Sequence, residues 1–221
     1  MIFYHGSKQT IEYPTPGGSN PSNDYGPSFY LTTELADAKD WACRNESLGI
    51  VNKYKVDARS FDSLKVLDLT DKKSRSVLNW IAILMHFRTL DESFRRNNRL
   101  ILEWLEHYYI DVCEYDVDVI KGFRADDAYF RFPIRFISND LAYEDLEKAF
   151  LLGNLGIQFA FMSERALRLL KYAGSIECES EYIGRYYARI SNATQSFNEI
   201  LEEPRDPKKT YILDLMRQDH E

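Results

Sequence analysis

The chain has 221 residues, 44% hydrophobic and 14% aromatic, which is enough for one large packed domain and too apolar for a disordered chain. Its formal net charge of −7 gives no overall attraction for phosphate backbones and argues against generic nucleic-acid binding. No apolar run reaches membrane-spanning length, and the first residues lack a secretory h-region. Cys43, Cys113 and Cys178 lie far apart and form no zinc motif. The expectation is a cytoplasmic protein with buried free thiols, unless a dedicated secretion system exports it.

In chain order, residues 1–5 read as a short strand. Residues 8–28 hold Pro14, Pro16, Gly17, Gly18, Pro21, Gly26 and Pro27, which forbids a regular element and predicts a long surface loop of the kind that often carries function. A strand follows at 29–31. Thr32 or Thr33 is placed to cap a helix reaching about Arg44, with Leu35, Ala38, Trp41 and Ala42 as its apolar stripe. Strands are predicted at 49–57 and 64–69. From 74 to 109 the period becomes helical, through Val77, Ile81, Leu84 and Met85, then through Leu100, Ile101, Trp104, Leu105 and Tyr108. RTLDESFRRNN, residues 88–98, separates or kinks the two segments.

DVDVIKG at 116–122 reads as a strand closed by glycine. ADDAYFRFPIRFI begins like a helix that Pro133 must start or interrupt. Residues 141–153 form an amphipathic helix ending at Gly153, and IQFAFMS at 157–163 a strand. Ser163 then caps a helix closed by Gly174, and residues 175–184 offer one more strand. The rest is helical to Glu203, with a charged tail after Pro204. This mixed order predicts an α+β fold: one domain over 1–203 with a helical insertion near 74–110, and a tail over 204–221.

The chemistry concentrates in two pieces. FYHGS, residues 3–7, sets the His5 imidazole, the approachable Gly6 backbone and the Ser7 hydroxyl at a strand end. GPSFYLTT, residues 26–33, puts the Tyr30 ring where a strand leaves a loop. Such a set can grip a flat, polar, nucleotide-like ligand. The two pieces resemble the first two motifs of the ADP-ribosyltransferase superfamily, in its histidine–tyrosine–glutamate group. The resemblance implies that His5 hydrogen-bonds the adenosine ribose of NAD. It implies that Gly6 pairs its backbone with the nicotinamide amide, with Ser7 beside it, and that Tyr30 stacks on the nicotinamide ring.

The third motif of that group is a carboxylate near the start of a later core strand, where IQFAFMS offers Gln158. Glutamine can hold a ribose hydroxyl but cannot act as a general base. A proton acceptor must then come from elsewhere, or the acceptor molecule must need none. Asp126 and Asp127 are the first candidates, with an acidic helix start as their other reading. Glu164 is a weaker one, because a position after Ser163 suits capping.

A longer ordered set resembles a bacterial family catalogued as a domain of unknown function, whose members look like distant ADP-ribosyltransferases. The pieces are YHGS, NDYGPSFYLT, DAKDWA, YDVDVIKGFRADDAYF and QFAFMSERAL, spanning roughly residues 1–172. The resemblance implies a split, mainly antiparallel sheet with surrounding helices, NAD as substrate and no metal. It also implies transfer to a protein or nucleic acid, in a toxin-like role with a small antitoxin partner. Two other readings stay open: a non-catalytic nucleotide- or protein-binding module, favoured by Gln158, and an NAD glycohydrolase that uses water. No GxGxxG, P-loop or GxSxG motif offers another template.

Overall fold

Short apolar runs separated by turn residues produce β1 (Ile2–Ser7), β2 (Phe29–Leu31), α1 (Leu35–Ala42), β3 (Ile50–Lys55), α2 (Ala58–Asp62) and β4 (Val66–Asp68). The helical periodicity that follows becomes α3 (Val77–Phe87), α4 (Glu92–Asn97) and α5 (Arg99–Cys113). Then come β5 (Val119–Phe123), α6 (Arg131–Ile137), α7 (Tyr143–Ala149), β6 (Ile157–Phe161), α8 (Glu164–Leu167), β7 (Lys171–Glu177), α9 (Arg185–Glu202) and α10 (Ile212–Gln218). The computed structural model describes residues 1–15, 17, 19–71, 77–113, 117–125, 130–149 and 156–219.

The fold is α+β. One sheet, in the order β1-β3-β7, is antiparallel. The other, β2-β6-β5-β4, is mixed, since β4 runs parallel to β5 while the remaining pairs are antiparallel. Phe3 of the first sheet is fully buried among Phe61, Phe159 and Phe161, with ring centroids 5.7, 5.1 and 5.4 Å away. Burying such a ring contributes about 1.5–3 kcal/mol, and the tilted and edge-on contacts add to it. The larger core gathers α3 with Leu67, Ile120 and Ala160 of the mixed sheet. Helix α3 is apolar almost all round because α5 covers it as well. Residues 77–113 therefore supply the middle of this core. Among the described residues no helix is long and apolar enough to cross a membrane.

Helix α1 lies close against the first sheet because two positions facing it lack side chains. A Cβ on Gly6 would stand 2.1 Å from the Ala38 carbonyl oxygen, and one on Gly49 would stand 2.4 Å from that of Ala42. Beneath α1, Cys43 and Cys178 are buried free thiols, as the composition predicts. Burial first, and then the hydrogen bond with Cys43, push the Cys178 thiol up to about 12. The Cys113 side chain lies outside the described residues.

Several expectations change. Helix α1 ends at Ala42 rather than Arg44, and its N-cap is Glu34; the Thr32 hydroxyl instead accepts from the Glu34 N–H at 3.1 Å. Pro133 falls in the first turn of α6, where its missing N–H costs nothing. Ser163 does cap α8, accepting from the Ala166 N–H at 3.1 Å, but the helix stops at Leu167 and Lys171–Glu177 is strand. The apolar spacing of Ala166, Leu167 and Leu170 continues a helical period that pairing with β3 overrides. The register slips between Asn52 and Tyr54, where β7 carries one residue more than β3. Gly174, at φ 105°, sits in that bulge. Beyond Pro204, the segment expected to be a tail carries α10, whose Ile212 is fully buried in the larger core. The Gly153 end of the 141–153 helix lies outside the described residues.

Candidate functional site

The two sheets meet at one bridge between β1 and β2, where Tyr4 and Thr32 exchange backbone bonds of 2.8 and 2.9 Å. One ladder step further Gly6 would face Tyr30, but there the strands have parted into separate sheets. Antiparallel alternation decides what this leaves open. Met1 exchanges bonds of 2.8 and 3.1 Å with Val56, so Met1, Phe3, His5 and Ser7 aim their backbone polar groups at β3. Tyr4 aims its groups the other way, and so does Gly6. Gly6 is buried, yet among the described residues nothing takes up its N–H and C=O. Buried peptide groups are nearly always paired, so this one is poised for an amide-like ligand or water. A cavity of about 630 Å³ opens here, lined by His5, Gly6, Ser7, Tyr30 and Gln158 among others. That volume lies in the range of small-molecule sites.

His5 closes the top of the gap. Its Nδ1 lies 2.7 Å from the Tyr30 carbonyl, and its ring stacks on Phe29 at 4.4 Å. A carbonyl only accepts, so Nδ1 carries the proton and Nε2 of the neutral ring is an acceptor. Burial holds the His5 pKa below 6.5, the Tyr30 carbonyl opposes this, and the Arg44 charge lowers it further. His5 is therefore neutral at pH 7, ready to accept from a hydroxyl. The sign of the pH effect follows. The unfolded chain takes up a proton near 6.5 and the folded chain resists it, so His5 contributes stability that is complete above 6.5 and is lost as pH falls toward the folded pKa. An NMR titration of the His5 ring should give a pKa below 6.5, and urea midpoints should fall on acidification through that window. A His5 pKa at or above 6.5 would contradict the buried, neutral assignment.

Tyr30 is held by its hydroxyl, which donates to the Gly26 carbonyl at 2.8 Å and accepts from the Tyr25 N–H at 3.0 Å. Burial raises its phenol well above the ordinary tyrosine range. Its ring is thus fixed in the cleft wall, with Tyr25 stacked behind it at 6.4 Å. Ser7 also lines the cleft, but its hydroxyl donates to the Gln9 carbonyl and accepts from the Gln9 N–H at 3.0 Å. Its part is to shape the turn leaving β1.

Gln158 is buried, and its Nε2 donates to Asp24 Oδ2 at 2.9 Å. Asp24, from the proline-glycine-rich loop, also accepts from the Ala125 N–H at 2.8 Å and faces Arg88 at 3.6 Å. Sequence reasoning missed this carboxylate because Asn-Asp-Tyr-Gly reads as turn chemistry. Asp126 and Asp127 lie outside the described residues. Glu164 does not line the cleft: it starts α8 past the other end of β6, where it pairs with Arg168 at 2.8 Å on the surface. That withdraws it as a base candidate.

The cleft is more basic than the chain. Lys8, Arg44, Arg88 and Arg124 line it against Asp24 and Asp37, although the whole protein carries −7. The Arg44 and Arg124 guanidiniums lie over the Trp41 ring at 4.0 and 4.7 Å, which fixes both against an apolar face. This local field suits an anionic ligand. The sequence signal was weak: Arg44 lies two residues past the end of α1, and Arg124 one residue past the end of β5.

A family model matches residues 1–172. The chain belongs to the family described as "Protein of unknown function (DUF3990)". No curated protein and no solved structure matches it. The DUF3990 match takes in β1, β2, α1 and β6 and ends at the second residue of β7. Beyond it, Tyr186 of α9 lines the cleft, and Arg189 of the same helix pairs with Asp37 and Asp40 at 3.6 and 3.2 Å. Tyr186 therefore adds to the cleft lining from outside the DUF3990 stretch.

Proposed function

We propose that this protein transfers ADP-ribose from NAD to a macromolecular acceptor. The observation that carries the reading is the open Gly6 peptide in the gap between β1 and β2, with neutral His5 and the fixed Tyr30 ring in the same cavity. An amide such as that of nicotinamide complements a free N–H and C=O at once. A ribose hydroxyl complements His5 Nε2, and a planar ring complements the Tyr30 face. The basic groups around Trp41 complement a diphosphate. These are the roles implied by the resemblance to ADP-ribosyltransferases. In this reading the cleft holds NAD extended, and the acceptor approaches the nicotinamide ribose from solvent. The cationic sugar left by nicotinamide departure then has to be stabilised and attacked.

The test is nicotinamide release from NAD by the pure protein, alone and with cell lysate, together with transfer of labelled ADP-ribose. Release that needs lysate and labels a macromolecule is the expected result. Release without lysate would make the protein a glycohydrolase. NAD binding without release would make it a binding module, and no NAD binding at all would sink the reading.

A further inference from the structure

We propose that Asp24 is the catalytic carboxylate of this cleft, supplied by the loop before β2 rather than by β6. The proposal rests on the ADP-ribosyl transfer reading. Its ground is geometry: Asp24 is buried to 8% exposure, lines the cavity, and touches Gln158 directly at 2.9 Å. Oxygen Oδ2 is anchored by Gln158 and by the Ala125 N–H, and Oδ1 faces the Arg88 guanidinium at 3.6 Å. The Asp24 charge is matched inside the protein by Arg88, whose side chain is only 16% exposed. Asp37 also lines the cavity and faces Arg189 of α9 at the same 3.6 Å; the contact with Gln158 is what singles out Asp24.

The chemistry needs such a group. The bond between the ribose C1′ and the pyridinium nitrogen breaks, both electrons leave with nicotinamide, and the nicotinamide departs neutral. The positive charge passes to C1′ and the ring oxygen, where a fixed carboxylate stabilises it. A lone pair of the acceptor or of water then bonds to C1′, and the proton of that nucleophile moves to Asp24 and on to solvent. Gln158 cannot take this proton; it positions Asp24 Oδ2. Arg88 balances the charge before substrate binds.

Asp24→Asn preserves shape and tests the charge alone. Nicotinamide release should fall by about 10²–10⁴-fold, with NAD affinity by calorimetry close to wild type, while loss of the partner of Arg88 lowers the melting temperature without unfolding the protein. Moving the carboxylate one side chain away, in Asp24→Asn/Gln158→Glu, should restore part of the turnover. Gln158→Glu alone should instead raise the lower pH limit of activity, because two adjacent carboxylates hold a proton between them. If wild type releases nicotinamide and Asp24→Asn releases it as fast, Asp24 is not catalytic and the transfer reading survives. If Asp24→Asn melts early, loses NAD and is not rescued by Gln158→Glu, Asp24 is an anchor and the proposal falls. A wild type that releases no nicotinamide in lysate overturns both.

Discussion

Gly6→Ala is expected to destabilise the fold by about 1–3 kcal/mol or more and to abolish ligand binding in the cleft. Gly6 lies in a strand and outside the left-handed region, so the backbone conformation itself tolerates alanine. The whole cost is steric. The new methyl would stand 2.1 Å from the Ala38 carbonyl oxygen and 2.8 Å from the Ala42 nitrogen, both main-chain atoms of α1. Neither can swing aside as a side-chain tip would, so the helix must lift from the sheet. Trp41 rides on that helix and carries Arg44 and Arg124 over its ring, so lifting α1 also dissolves the basic side of the cleft. Thermal denaturation should show a drop of about 2–4 °C for each kcal/mol lost. Calorimetry with NAD should show no binding by the folded fraction. An unchanged midpoint would mean that α1 does not lie on β1 as described.

Tyr25→Phe should cost about 1–3 kcal/mol, because one oxygen bonds buried groups from two elements. The Tyr25 hydroxyl donates to the Phe123 carbonyl at 2.7 Å and accepts from the Trp80 indole N–H at 2.8 Å. The residue is fully buried, so water cannot replace what is lost. Phenylalanine withdraws one partner from the Phe123 carbonyl of β5, which also accepts from Gln158 Nε2 at 3.4 Å, and one from the Trp80 indole N–H of α3. Room for the hydroxyl exists because position 122 is glycine: a Cβ there would stand 2.1 Å from the Tyr25 oxygen. Urea denaturation should show the loss, with Tyr13→Phe, at a residue 85% exposed, as the neutral control. Equal midpoints for the two variants would contradict the buried network.

The sequence made some of this legible and hid the rest for identifiable reasons. Strands β1, β2, β5 and β6 and helices α3 and α5 announce themselves because each buries a compact apolar set, such as Phe159–Phe161 or Ile81–Leu84. His5, Gly6, Tyr30 and Gln158 stand out as ordered pieces, and the fold brings all of them to one cavity. The function of Gly6 is only half legible. Its missing side chain makes room for α1, whereas its free peptide depends on where two strands part, which no local pattern encodes. Strand β7 was expected too late, at 175–184, because Lys171–Glu177 buries no residue fully and is held by its backbone pairing with β3. Asp24 was hidden because its partners, Arg88, Ala125 and Gln158, lie 64 to 134 positions away in the chain.

The end of the family match inside β7 has a practical meaning for anyone trimming the gene. A fragment cut at Tyr172 would keep the motif residues and lose five of the seven residues of β7. The outer side of β3 would then present unpaired N–H and C=O groups, a template onto which another chain can add a strand. The same cut removes Phe197, whose ring lies 4.0 Å from Phe132, and Ile212, which fills the larger core, leaving an apolar hollow open to water. Such a fragment would clump into inclusion bodies rather than report on activity. The stretch recognised as the family and the stretch able to fold by itself are different lengths of this chain.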